Sequence, residues 1–239
     1  MINFFKLALL IYVTCILQGC SVFNSASSKY NFSDGYYYSR LNKNKTEKYY
    51  VVTGSDSIKV YPASVGRQIA DTVKMLTVLF PPHAKPAEFS NYTFRTQSFD
   101  LDVLTIIFKY RPATQGFPGQ LNANFNGALY AGYRTDSYRL SYKETPLRVQ
   151  NRDITHYGYS FGGFLGIGTA RIDEYVTLNR INYEYDGAVI TGGLAAIIGL
   201  NKLNFGITSG LDYLTDKNKN LWVNQTKPWI GISIGLNLN

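Results

Sequence analysis

A chain of 239 residues can bury a core in one or two domains, and 17% charged residues beside 15% aromatics, with 20 tyrosines and 21 glycines, suits strands better than helices. Both cysteines fall within the first 20 residues and the histidines are His83 and His156 alone, which excludes a disulfide framework and a thiolate or histidine-rich metal site. The formal charge of +8 has one dense source, Arg40, Lys43, Lys45 and Lys48 in an Asn-rich loop without a nucleic-acid motif, so neither a nucleic-acid partner nor a cofactor is expected.

The N-terminus carries Lys6 and then a short apolar run, Leu7 to Val13, the layout of a secretory signal and too short to span a membrane. Leu17-Gln18-Gly19-Cys20 follows and resembles the lipobox of bacterial lipoproteins. That resemblance implies removal of residues 1–19, acylation of Cys20 as the first mature residue, and residues 20–29 as a flexible Ser/Asn-rich tether. Ser21 stands where an inner-membrane retention signal has Asp, and the following residues to Ser28 carry no acid, so the resemblance implies outer-membrane delivery with the anchor in the periplasmic leaflet.

Residues 30–90 read as a small β-rich region. Tyr36-Tyr37-Tyr38, Tyr49 to Val52 and Ile58 to Tyr61 are β-rich runs separated by turn residues, a meander in which tyrosines serve as a packing layer or a binding platform. Ala70 to Leu79 is a candidate short helix, with Ile69, Val73, Leu76 and Phe80 roughly on one face and Pro81-Pro82 as its stop. The prolines from Pro81 to Pro86 read as a linker.

From residue 91 to 239 the period is that of strands. Phe99 to Arg111, with a start as early as Tyr92, alternates imperfectly, because Asp100 and Asp102 share one parity while Lys109 and Arg111 share the other; a β-bulge or charges at the rims would reconcile them. Leu121 to Arg134, Ser137 to Lys143, Tyr157 to Gly168, Asp186 to Leu200, Leu203 to Leu214 and Pro228 to Asn239 complete seven strands, with loops over 112–118, 146–155, 173–184 and 216–226 and a tight hairpin at Asn201-Lys202. Phe164 breaks an otherwise regular alternation.

In the last strand Ile230, Ile232, Ile234, Leu236 and Leu238 oppose Gly231, Ser233, Gly235, Asn237 and Asn239, so one face wants an apolar surrounding. The expected fold is all-β, an antiparallel up-and-down barrel of eight strands behind the meander, with aliphatic residues toward lipid and girdles formed by Tyr110, Tyr133, Tyr157, Tyr213 and Trp229. Asn122, Asn124, Asn126, Arg134, Arg139, Asn204, Asp212 and Asn237 then form a polar network that fills the lumen.

Phe99 to Thr105, Phe108-Lys109-Tyr110-Arg111, Tyr183 to Gly187 and Lys227 to Gly231 resemble segments of small, poorly characterised outer-membrane barrel proteins of Bacteroidota, over roughly Phe99 to Asn239. The resemblance implies an outer-membrane barrel in contact with its lipids; the lipobox, the bilayer-like alternation and the absence of a catalytic cluster point to a structural or interaction role in which the meander docks a periplasmic or envelope protein. One alternative is a soluble, lipid-tethered, lipocalin-like barrel that holds an apolar ligand in an aliphatic interior. A second resembles outer-membrane lipid-modifying enzymes and would use His156, Ser160 and an acid such as Asp153. Four residues along a strand put His156 and Ser160 about 13 Å apart, so no catalysis is expected.

Overall fold

The computed structural model describes residues 31–41, 45–54, 57–64, 69–79, 92–114, 116–148, 150–200 and 203–237. The lipobox, Cys20, the tether, Lys43, His83 and the proline-rich linker lie outside the described residues.

Among the described residues eleven strands form one antiparallel sheet: β1 (Gly35–Ser39), β2 (Glu47–Thr53), β3 (Ser57–Pro62), β4 (Leu76–Leu79), β5 (Tyr92–Arg111), β6 (Gln120–Asn122), β7 (Asn126–Glu144), β8 (Gln150–Ile172), β9 (Tyr185–Leu200), β10 (Leu203–Leu214) and β11 (Pro228–Asn237). Their order runs β11-β10-β9-β8-β7-β5-β1-β2-β3-β4, and an additional β11–β5 ladder closes β5 and β7 to β11 into a ring of six. The expectation of eight strands is corrected to six. The main cause is Thr135-Asp136-Ser137, turn-like in composition but held in ladders on both sides, to Gln97, Thr96 and Arg95 of β5 and to Tyr159, Gly158 and Tyr157 of β8. Two expected strands are therefore one.

The parity conflict in β5 is resolved by a bulge. Ile232 pairs with Phe108 but Ser233 pairs with Ile106, so Ile107 is the extra residue. Asp100, Asp102, Leu104 and Ile106 are buried before it, and Lys109 and Arg111 after it. One inserted residue thus turns two carboxylates and two cations into the same interior.

Around the ring the aliphatic face points outward. Leu129, Leu165, Ile167, Ile190, Leu194, Ile207 and Ile232 are each about half exposed or more, while Asn126, Arg134, Thr191, Asn204, Thr208, Asp212 and Ser233 are buried. Tyr110 and Tyr213 are exposed at the end carrying the long loops, and Tyr133 and Tyr157 at the other. Trp229, expected in a girdle, is wholly buried instead. Its odd position in β11 faces inward, and Gly210 makes room: a Cβ there would stand 3.0 Å from Trp229 Cζ2.

β5, β7 and β8 continue past the ring. There Tyr38 and Ser39 of β1 pair with Arg95 and Phe94, and the meander β1-β2-β3-β4 extends the same sheet. Tyr37, Tyr49, Val51, Ile58 and Val60 of the meander pack on Phe94, Tyr138 and Leu140, with Phe32 laid across Tyr37, Phe94 and Tyr138 at 5.0–5.5 Å between ring centroids. The Arg152 Nη1 group donates to the Gly54 carbonyl at 3.2 Å and ties β8 to the β2–β3 turn.

No helix occurs among the described residues, so the reading of Ala70 to Leu79 as a helix is corrected. Leu76–Leu79 pairs with Ser57 to Val60 as a strand. Asp71 Oδ1 accepts from the Val73 and Lys74 amides much as a helix cap would. The proposed apolar face nevertheless finds no core, since Ile69 and Val73 are 70% and 91% exposed. The edge of β3 supplies backbone partners to a β-branched run that has no packing to support a helix.

Candidate functional site: two polar clusters in a filled barrel

Inside the ring an apolar layer separates two polar clusters. Leu104, Ile106, Ala128, Tyr130, Phe164, Ala195, Ile197 and Trp229 form that layer. Phe164, the irregularity in the alternation of β8, is a member of it, tilted against Trp229 with centroids 6.0 Å apart.

On the meander side lie Asp100, Asp102, Arg134, Asp136, His156, Ser160 and Asn204, all buried. Arg134 Nε donates to Asp136 Oδ1 at 2.8 Å, and Arg134 Nη1 stands 3.8 Å from Asp100 Oδ2. His156 Nε2 is 2.6 Å from Asp136 Oδ1, and its ring stacks on Tyr138. Asn204 Nδ2 donates to Asp102 Oδ2 at 3.3 Å, and the Tyr130 and Ser160 hydroxyls share a 2.7 Å hydrogen bond. Glycines create the space: Gly158 and Gly199 pair in register, and a Cβ on either would meet the Arg134 guanidinium.

On the loop side Asp212 is the hub. Lys109 Nζ donates to its two oxygens at 2.8 and 3.0 Å, to Asn126 Oδ1 at 2.7 Å and to Thr191 Oγ1 at 3.4 Å. Arg111 Nη2 donates to Asp212 Oδ2, and Trp229 Nε1 donates to Oδ1 at 3.1 Å while the Lys109 ammonium sits over the indole. Charge-assisted bonds of this kind are what make burial of the three ions tolerable. Outside the cluster, Phe117, Val176, Ile181, Leu214 and Trp222 form an apolar cap drawn from β10 and the three long loops.

Of the eight residues expected to fill the lumen, Asn126, Arg134, Asn204 and Asp212 are buried within it. Asn122 and Asn124 are half-buried at the lip of the loop-side cluster. Arg139 is a correction: it is exposed, because β7 keeps one parity throughout and Tyr138 and Leu140 take the inner positions against the meander. Asn237 pairs with Asp102 in the β11–β5 ladder, and its side chain is not among those described.

Lys109, Arg111, Asp100, Asp102, Asp136 and Thr191 were not assigned to the network from sequence. For the first four the signal was the parity switch within β5. Asp136 was hidden by its turn-like neighbours.

The arrangement does not assemble the His156, Ser160 and Asp153 constellation. His156 is engaged by Asp136, Ser160 by Tyr130, and Asp153 by Lys143 at 2.6 Å. No group of three or more metal-ligating side chains occurs among the described residues. The interior is polar at both ends and packed at its middle, whereas a lipocalin-like binder requires an aliphatic hollow. No protein-family model, curated protein or solved structure matches the chain.

Proposed function

We propose that this chain is an outer-membrane β-barrel lipoprotein with a structural or interaction role, in which a filled barrel holds the N-terminal meander at the periplasmic face for an envelope partner. The observation that carries this reading is the outward aliphatic belt bounded at both ends by tyrosines, around an interior that pairs Lys109 and Arg111 with Asp212 and Arg134 with Asp136. A soluble sheet exposes such a surface rarely; a bilayer requires it. A ring of six strands is narrow, and its middle is filled by the layer that includes Phe164 and Trp229, which speaks against a wide pore.

Orientation follows from loop length. Outer-membrane barrels keep short turns on the periplasmic side and long loops outside. Leu200 pairs with Leu203 across a short hairpin at the meander end, whereas the connections over 112–119, 173–184 and 215–227 lie at the other. The meander is then periplasmic. On its outer face Tyr36, Tyr50 and Tyr61 form a cross-strand row over three strands, with Lys48 above Tyr36 and Ile69 beside them. Half-exposed tyrosines in a row supply apolar area and hydroxyl groups together, the chemistry of a protein-docking patch.

The test is fractionation of the full-length protein and of Cys20→Ala behind a cleavable export signal, with a carbonate wash. Retention of both in the outer-membrane pellet, with a heat-modifiable band on unboiled gels, is the expected result. A Cys20→Ala protein that washes off folded overturns the reading. A photo-crosslinking residue at Tyr50 is expected to capture an envelope protein that one at the outward-facing Ile207 does not.

A further inference from the structure

The loop-side cluster carries an unbalanced charge. Lys109 and Arg111, 3% and 4% exposed, face one buried carboxylate, Asp212, which already accepts from Lys109, Arg111 and Trp229. Above them is a small cavity lined by Arg111, Gln120, Asn122, Asn124, Asn224 and Trp222, among other residues, and no acid lines it among the described residues. Arg171 at its lip is paired with Glu184 and Asp173.

Two polar atoms in this place make no hydrogen bond. One is Arg111 Nη1, whose sister Nη2 is spent on Asp212 while the guanidinium lies over the Trp222 ring. The other is Asn122 Oδ1, where a half-turn of the amide would present a donor instead. A buried guanidinium nitrogen without an acceptor is costly, and the cost falls when an anion supplies one. The free space is about 20 Å³, on a scale on which one buried water takes about 10–15 Å³, so one oxygen of an anion fits and the rest of the group stays at the open lip.

We infer that this cavity is an oxyanion site, in which one oxygen of an anionic group, a phosphate above all, enters from the loop end and is held by Arg111 Nη1 and the amides of Asn122 and its neighbours. The guanidinium fork selects an oxyanion over a halide. Asn224 Nδ2 donates to Gln120 Oε1 at 2.9 Å and fixes the far wall. The source is either free inorganic phosphate or the headgroup of a lipid at the rim of the barrel. The site depends on the interior pairs and not on the surrounding medium, so it can be tested in detergent whatever the fractionation experiment returns.

The experiment uses the full chain, folded in a phosphate-free detergent. Inorganic phosphate is titrated against chloride at equal ionic strength, with ³¹P line width and the thermal unfolding midpoint as readouts; in parallel, the protein is mixed with phospholipid vesicles, re-extracted and assayed for bound phosphorus. Asn122→Asp sets a carboxylate in the cavity and is expected to weaken phosphate binding at least about tenfold, while the unliganded variant unfolds no earlier than wild type. Arg111→Gln is expected to abolish binding.

Phosphate uptake by the wild type assigns the site to the free ion. Retained phospholipid that Asn122→Asp sheds, without phosphate uptake, assigns it to a headgroup. A wild type that takes up neither, or a folded Asn122→Asp that binds as well as wild type, overturns the proposal. Should that variant not fold, the wild-type titration decides alone.

Discussion

Phe164 and Trp229 meet across the barrel, 6.0 Å between ring centroids, and their contact divides a carboxylate-rich half from a cation-rich half. Trp229 also ties this layer to the charges, through its indole N–H to Asp212. Phe164→Ala is expected to lower stability by about 3–5 kcal/mol through lost burial and the cavity left behind. The urea midpoint of the folded band on unboiled gels measures it. Wild type reconstituted in planar bilayers is expected to show no steady conductance, and an open channel of fixed size would contradict the filled interior.

Gly158 and Gly199 pair in register and both face Nη2 of Arg134. A Cβ at Gly199 would lie 2.6 Å from Arg134 Nη2 and 2.8 Å from Asn204 Oδ1, so Gly199→Ala must displace one of two buried groups. The expected cost is about 1–3 kcal/mol. Arg134→Met, which strands Asp100 and Asp136 without their cation, should cost more, about 3–5 kcal/mol. Equal unfolding midpoints for the two variants would show that the arginine does not organise this cluster.

Ile207 and Ile232 pair in register on the outward face of β10 and β11. Ile207→Lys places a charge at mid-belt, where a bilayer exacts about 2–4 kcal/mol. Reduced yield of the heat-modifiable form in membranes is expected, with Ile207→Val unaffected. A soluble protein would instead gain solubility from the lysine.

In the meander the Asp34 carboxylate accepts from the Thr53 amide and the Thr53 hydroxyl, both at 2.7 Å, and these bonds hold its pKa below the ordinary range of an aspartate. The ionised form is the one favoured by folding, so the contribution is present above the unfolded pKa and fades as pH falls through the lower folded value. Asp34→Ala should therefore separate from wild type in denaturant midpoint at pH 6, and the two should converge as pH falls through the lowered pKa of the folded state. A separation that stays constant from pH 6 to pH 2 would exclude this linkage.

The alternation of side chains made the outward faces of β8 to β11 legible from sequence, because a strand packed on one side only has no other way to be written. What stayed hidden depends on partners remote in the chain. Lys109 and Asp212 are 103 residues apart, and nothing local to either says they touch. The position of the bulge at Ile107 is set by the ladder with β11, so the switch of parity was visible while its site was not. Thr135-Asp136-Ser137 misled because composition marks a turn, whereas two flanking ladders enforce a strand. The Ala70 to Leu79 pattern misled in the opposite sense: a helical face needs something to cover it, and none of the neighbouring elements does so.

β8 runs from Gln150 to Ile172 without interruption, and its first seven residues, to His156, stand clear of β9, which begins its pairing at Tyr157. β5 and β7 make the same passage, so no joint separates the belt from the meander. Seven residues of strand reach a little over 20 Å. In the proposed arrangement the tyrosine row is carried at a set height and heading from the bilayer, and a partner that grips it is held at a measured distance, as by a mast stepped through the deck.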